Sequence, residues 1–398
     1  MAYEVHDLSV SEKPLGPDVG LAKWKSRIDS VPNMRLLCNQ FMNSNEMFSP
    51  PKAGLYRSSK PDHISQDDLT EFRNLGIKCI IDFRSKDEYF GSEGCCLLDK
   101  EYILHKVIPP KKVGQSTTFE RIDLNEKAES EASSCFSSPL GSSMYSTEGV
   151  GTALKESDGI EKRHFLINFF TPKYIFRSFS RLPCYLYCIG IFHLLCDLIR
   201  RDTKFKNFSL FFTSNVLNRA GIKGQYRDVV DLCQPSVCAS LKLIADPQNH
   251  PALINCAHGK DRTGIVSALV LTCLGMPKEY IAEEYALSED GLEPIKDVIR
   301  KDIYEKYRLK EEFLSAEADT MRHLLCYIED KYGSIEDYME TIGFSYAEQS
   351  TLRANFSAPG YEISYDAKAK DGGDTEVNVE TTTPRLRSGK HESNLPVS

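Results

Sequence analysis

The stretch from Ala252 to Gly275, ALINCAHGKDRTGIVSALVLTCLG, constrains the fold more than any other part of the chain. Leu253 and Ile254 form a short apolar run of the length and setting expected of a buried strand. A polar loop from Cys256 to Arg262 follows. Ile265, Val266, Leu269 and Cys273 then recur at helical spacing over Thr263–Leu274. Gly275 stands where such a helix stops, with Pro277 just beyond. A strand that feeds a polar loop opening a helix leaves backbone N–H groups without helical partners. The helix dipole adds partial positive charge at the same place, so the arrangement favours an anion.

The loop's residue types point to phosphoryl chemistry. Cys256 and Arg262 bracket a Cys-x5-Arg spacing. A thiol among inward N–H groups at a helix start ionises more readily, and a thiolate is a competent nucleophile. The Arg262 guanidinium presents a planar fork suited to phosphoryl oxygens. Gly259 frees the loop backbone, and Thr263 has a hydroxyl to turn toward the sulfur. Ala257, His258, Gly259, Lys260, Arg262 and Thr263 are therefore the expected phosphate-binding set. Asp261, immediately before Arg262, is one candidate general acid.

At these residues the chain resembles the cysteine-dependent phosphatases of the protein tyrosine phosphatase superfamily. Gly259-Lys260-Asp261-Arg262-Thr263-Gly264 is similar to the GKDRTG loop of their atypical family of bacterial and protozoan enzymes. The resemblance implies action on phosphotyrosine, other phosphoproteins and often phosphoinositides, through a phosphocysteine intermediate. Asn255 departs from the pattern, since that position is usually a histidine that tunes the thiol; an amide can hydrogen-bond but cannot carry charge. The Trp-Pro-Asp acid loop of the tyrosine-specific enzymes is absent, because the single tryptophan, Trp24, precedes Lys25.

The resemblance extends over residues 31–110 and 225–356. Asn33 and Arg35 match an early family element in part, and Leu55-Tyr56-Arg57-Ser58 is similar to the strand that follows it in the family. Ser65 and Asp68 set up a capping box before Leu69, Phe72 and Leu75. The run Ile77 to Arg84 then reads as a buried strand ending in polar residues, similar to the family's Ile-Asp-Leu-Arg element. Ligands of open α/β sheets sit beyond the carboxyl ends of strands. Asp82 is thus the second candidate acid, and Arg84 a further candidate phosphate ligand; an Asp–Arg pair that orders the strand end is the alternative.

Residues 111–163 are rich in serine, glutamate and glycine without period and read as a disordered insertion. A helical, lid-like region is expected over 164–224. Within it, the apolar run from Leu182 to Ile199 raises a membrane span, against which stand His193, Asp197, Pro183 and Gly190. Arg177, Arg181, Arg200, Arg201, Lys204 and Lys206 flank this run, so membrane contact through 165–206 is the other reading. A helix is expected over 225–246, interrupted at Pro235. After the catalytic helix come a helix over Lys278–Ser288 and three more, two opened by Ser334-x-x-Asp337 and Ser345-x-x-Glu348.

The expected architecture is α/β and protein tyrosine phosphatase-like. A central, mostly parallel sheet is flanked by helices, with a helical C-terminal region. A loose lead-in over 1–30 precedes the phosphatase domain, 31–356, and a disordered tail covers 357–398. A net charge of −8 gives no support to nucleic-acid binding. Thirteen cysteines without CxxC pairs, and an opening without a basic start and apolar core, fit a reducing, cytoplasmic setting. No metal or cofactor is expected, since the loop's donors and cations supply the charge stabilisation. The expected partner is a phosphorylated protein or a phosphoinositide, and the sequence leaves the oligomeric state open. A phosphate-recognising module without turnover is the alternative function.

Overall fold

A computed structural model describes residues 28–37, 54–91, 96–110, 115–122, 161–200 and 205–356. Its centre is a seven-stranded sheet in the order β1-β2-β7-β3-β6-β4-β5. The strands are β1 Arg35–Leu36, β2 Leu55–Ser58, β3 Cys79–Asp82, β4 Ile103–Ile108, β5 Thr118–Arg121, β6 Arg163–Leu166 and β7 Ala252–Asn255. The five central strands run parallel, and β1 and β5 are antiparallel edges. The expected α/β architecture is the one observed.

A parallel sheet is buried on both faces, and alternation along the strands divides its side chains between two apolar layers. Leu55, Cys79, Ile81, Ala252 and Ile254 face the larger layer. Tyr56, Ile80 and Leu253 face the smaller one, packed against helix α1, Gln66–Asn74. Ile254 is fully buried, and truncating such a residue to alanine costs about 2–5 kcal/mol.

Helix α2, Lys86–Phe90, follows β3; α3, Pro172–Phe179, α4, Cys184–Ile199, and α5, Lys206–Phe212, follow β6. Next come α6, Asn218–Leu232, and α7, Gln234–Ala245, which break at Cys233 with Pro235 in the first turn of α7. The expected interruption near Pro235 is therefore a division into two helices. After β7 comes α8, Asp261–Cys273, in which every residue except Asp261 and Thr272 is buried. The chain continues through α9, Lys278–Leu292, α10, Lys296–Lys301, α11, Ala318–Tyr332, α12, Ile335–Thr341, and α13, Tyr346–Phe356. Ser334 accepts from Asp337 N–H at 2.9 Å, while Ser345 and Glu348 form a reciprocal box, as their spacing predicts. At Ser65 only half the box forms: Asp68 N–H donates to Ser65 Oγ, but the Asp68 carboxylate accepts from Ser30.

The interval 111–224 differs from expectation. Thr118–Arg121 adds an edge strand to β4, although its side chains are all exposed. Arg163–Leu166, placed by the sequence at the end of an insertion and the start of a lid, is instead a central strand between β3 and β4. Its side chains His164, Phe165 and Leu166 are buried, and a four-residue strand has too short a pattern to separate from a helix start. The helices expected over 164–224 thus begin only at α3. Among the described residues no helix is long and apolar enough to cross a membrane. The serine-rich core of the insertion, the lead-in before residue 28 and the tail from 357 lie outside the described residues.

Candidate active site

Parallel pairing brings the ends of β2, β7 and β3 level, with Ser58 and Asp82 on either side of Asn255. The loop Cys256–Lys260 leaves that edge and turns into α8. Its carbonyl groups are tied down on the outside. Lys60 N–H donates to Ala257 O at 3.2 Å, and Asn33 Nδ2 donates to His258 O and Gly259 O, each at 3.1 Å. Arg57 Nη2 donates to Gly259 O at 2.7 Å. Carbonyls held outward leave the N–H groups on the inner side, which is the geometry of an anion cup. Among the described residues, the N–H groups of Ala257 to Lys260 have no acceptor.

Gly259 is required here. Its φ is +65°, and a Cβ would lie 2.0 Å from Ser58 O. The loop therefore sits directly on the end of β2, an approach open only to glycine.

A buried ion triad supports the loop from below. Glu284 on α9 accepts from Arg35 Nε at 2.7 Å and from Arg57 Nη1 at 2.6 Å. Arg35 also donates to Asn33, so the residue that pins two loop carbonyls is itself oriented by the triad. Burial, with Arg57 beside it, pushes the Arg35 pKa down to about 10 despite Glu284. Two guanidiniums at one carboxylate repel each other, and Glu284 is what holds them together.

Cys256, the first residue of the loop, is buried. Arg262, in the first turn of α8, donates from Nη1 to Phe83 O at 2.8 Å and to Glu88 Oε2 at 3.0 Å. Its Nη2 donates to Glu88 Oε1 at 2.9 Å, and Phe170 lies 4.9 Å from the guanidinium. Burial works against the Arg262 charge, but Glu88 and Cys256 more than offset it and raise its pKa. Burial likewise works to raise the Glu88 pKa, and Arg262 overrides it and holds the carboxyl below the usual range. Of the five guanidinium N–H groups, these bonds use both on Nη1 and one on Nη2. Among the described residues Nε–H and the second Nη2–H have no acceptor, and they form a parallel pair along one edge of the fork.

Asp261 Oδ1 accepts from Tyr226 Oη at 2.8 Å, and the side chain is about one-third exposed at 32%. Tyr226 Oη is also 2.8 Å from Tyr285 Oη. The two tyrosines, from α6 and α9, orient the carboxylate that follows the loop.

Other expected site residues are placed differently. Arg84 is buried between two carboxylates, donating to Asp62 at 2.6 and 2.8 Å and to both oxygens of Asp82. Asp82 is fully buried and also meets His164 at 3.4 Å. Although burial opposes ionisation, Arg84 and His164 hold the Asp82 pKa far below the usual carboxylate range. An acid must arrive protonated, and a phosphate ligand must keep donors for substrate. Here Asp82 is held ionised and Arg84 is engaged by Asp62 and Asp82, an arrangement closer to the ion pair at the strand end than to an acid and a phosphate ligand.

Lys260 is buried too, and its Nζ donates to the carbonyls of Phe313 at 2.6 Å and Ser315 at 2.9 Å. The ammonium clasps the loop to the 311–315 turn rather than reaching into the cup. His258 is partly buried, and burial pushes its pKa down to about 4, so it is neutral near pH 7. Thr263 is fully buried, and among the described residues its hydroxyl has no hydrogen-bond partner, Cys256 included. The Asn255 amide is likewise buried and without a partner among them.

Glu88, Tyr226 and Phe170 escaped the sequence reading. Ser85-x-x-Glu88 carries a capping-box signal, and the box does form, with Glu88 Oε2 accepting from Ser85 N–H. That signal marks the helix start and conceals the second role of the same carboxylate. Tyr226 and Phe170 lie in helical and loop segments whose packing against α8 has no sequence signature.

The sequence pattern of the tyrosine phosphatase family matches residues 27–148 and 201–358. The chain is 29% identical over 117 residues to the triple specificity protein phosphatase PtpB of Mycobacterium tuberculosis (strain ATCC 25618 / H37Rv), covering 26% of this chain and 42% of that one. It is 29% identical over 135 residues to a tyrosine-protein phosphatase of Nostoc commune, covering 32% of this chain and 46% of the relative. The similarity thus spans less than half the length of either relative.

Proposed function

The chain belongs to the tyrosine phosphatase family, and on that premise we propose that it hydrolyses phosphate monoesters through a phosphocysteine intermediate. The Cys256 thiolate attacks phosphorus while the loop N–H groups and the open edge of Arg262 hold the equatorial oxygens. Asp261, fixed at Oδ1 by Tyr226, carries a proton on Oδ2 to the leaving oxygen as the P–O bond breaks. In the second step Asp261 takes a proton from water, which attacks phosphorus and releases phosphate and the thiolate.

The observation that carries this reading is the pair of donors left on Arg262. Glu88 and Phe83 occupy one side of the fork and leave the other as a two-pronged site beside Cys256. The substrate class we favour is phosphotyrosine in proteins. Both relatives are named as phosphatases of proteins or tyrosine, and Lys260 is committed to backbone carbonyls rather than to a second phosphate. The described cysteines are all free thiols, which supports a reducing compartment.

The test compares the chain with Cys256→Ser on a phosphotyrosine peptide and a phosphoinositide panel, with thiol reductant. Phosphate release abolished by Cys256→Ser, and fastest on the peptide, is the expected result. No release from any substrate, with vanadate still bound, would instead make the chain a phosphate-recognising module.

A further inference from the structure

Helix α4 turns an apolar face to solvent. Tyr185, Ile189, Phe192, Leu195 and Ile199 follow one another three or four residues apart, which places them on one stripe. All five are exposed, Phe192 by 64% and Ile199 by 82%. Phe176 on α3 and Phe205 before α5 add to the same segment. Single exposed apolar residues are ordinary on a protein surface, whereas a contiguous stripe marks an interaction site.

The stripe is fixed in place. On the opposite side of α4, a Cβ on Gly190 would meet the rings of Phe179 and Phe211 at 2.3–2.7 Å, so that face is already packed tight. Asp197, the helix's single carboxylate, is buried, and it accepts from Phe208 N–H and Asn207 Nδ2, each at 2.7 Å. Both contacts set the rotation of α4 and prevent the outer face from turning inward.

Charge decides what covers it. Lys173, Arg177 and Arg181 precede the stripe, and Arg200 and Lys206 follow it; all five are exposed. Asp197 is the only carboxylate among the described residues from 171 to 217, and Arg181 reaches Asp228 on α6. The chain as a whole carries −8, so this cationic segment stands against the general balance. A second copy would bring the same cations face to face. Sixteen residues of helix extend about 24 Å, enough to lie along an interface. Apolar side chains rimmed by Arg and Lys are the chemistry of a helix seated in an anionic lipid surface.

We propose that α4 docks this protein onto anionic membrane surfaces, with Tyr185, Phe192 and Leu195 entering the headgroup layer and the flanking cations meeting lipid phosphates and carboxylates. This is independent of turnover at Cys256.

The test is flotation of the full chain with vesicles of phosphatidylcholine alone and with phosphatidylserine added. Association with the serine-containing vesicles only, weakened by salt, is expected. The variant F192E/L195E, at exposed positions, should keep the thermal unfolding midpoint and lose at least about tenfold in vesicle partitioning. The charge variant R177E/K206E should lose a similar factor. Absence of vesicle association, or equal association of wild type and F192E/L195E, would overturn the proposal. So would a dimer that F192E/L195E splits into monomers, which would make the stripe an interface between copies. Binding to polyglutamate without binding to vesicles would assign it to an acidic protein.

Discussion

Arg262 and Glu88 meet fork to fork, two N–H groups on two carboxylate oxygens at 3.0 and 2.9 Å, and this pairing decides which edge of the guanidinium is left for substrate. Glu88→Ala should free Arg262 to rotate and leave its charge without a partner. Loss of one aligned donor at a developing oxyanion costs on the order of 100-fold in rate. The expected outcome is a fall of that size in kcat/KM on a phosphotyrosine peptide, with Glu88→Gln intermediate. Activity unchanged in both would show that Arg262 is oriented by Phe83 and Phe170 alone.

The strand–loop–helix unit was legible because its signals are local: an apolar pair, a polar loop of fixed spacing and a helical period within one stretch. The C-terminal capping boxes were legible for the same reason. What the sequence concealed depends on distant pairing. Arg163–Leu166 becomes a central strand only because β3 and β4 lie on either side of it. Asp82 and Arg84 have the composition of site residues and are placed at the right end of the sheet. It is Asp62, from another loop, that closes Arg84 off. Lys260 likewise has the spacing of a phosphate ligand, and its direction is set by carbonyls more than fifty residues downstream.

Asp261 and Tyr226 give a prediction that separates acid catalysis from structure. Asp261→Asn removes the proton donor, a change of about 10²–10⁴-fold where general acid catalysis operates. The loss should be large on phosphotyrosine, whose leaving oxygen needs the proton, and small on p-nitrophenyl phosphate, whose leaving group departs without one. Tyr226→Phe keeps the carboxylate and removes the hydrogen bond that aims it. It should show the same leaving-group dependence with a smaller loss. Equal losses on both substrates would mean that these residues act through the fold of the loop.

Glu284 is predicted to matter for stability out of proportion to its distance from phosphorus. Glu284→Ala leaves Arg35 and Arg57 buried together without their carboxylate, and breaking a buried pair in this way costs about 3–5 kcal/mol. Denaturant unfolding should show a midpoint shift of that size. The replacement Arg57→Met with Glu284→Leu removes two charges together and should cost less than the single change. If Glu284→Ala were neutral, the triad would not be what holds Asn33 and the loop carbonyls.

His258 makes the fold sensitive to acid. Its native pKa is about 4 because burial disfavours the charged ring, while an unfolded histidine titrates near 6.5. Between those values the unfolded chain binds a proton that the native chain does not. Stability therefore falls as pH drops from 6.5 to 4 and is regained as pH rises. The contribution is at most about 3 kcal/mol for one partly exposed ring. As pH drops from 6.5 to 4, wild type should lose up to that amount of stability relative to His258→Asn, whichever of the two is the more stable at pH 7. Parallel curves would remove His258 from the account.

Lys260 provides the sharpest contrast between residue type and placement. An ammonium beside a phosphate cup invites the inference that it reads a second phosphate. Here Nζ lies 2.6 Å from Phe313 O and 2.9 Å from Ser315 O, buried, with Asp261 3.6 Å away. Lys260→Met keeps the length of the chain and removes the donor. Two carbonyls then lose their partner, at a cost of about 1–3 kcal/mol, and the 311–315 turn loosens from the loop. The expected result is a lower unfolding midpoint with the ratio of phosphoinositide to phosphotyrosine turnover changed by less than about twofold, since a factor of ten would require 1.4 kcal/mol of differential contact. A tenfold fall in that ratio would mean that Lys260 releases the two carbonyls when substrate arrives and turns to a second phosphate, and Lys260 would then argue for a phosphoinositide rather than a phosphotyrosine substrate.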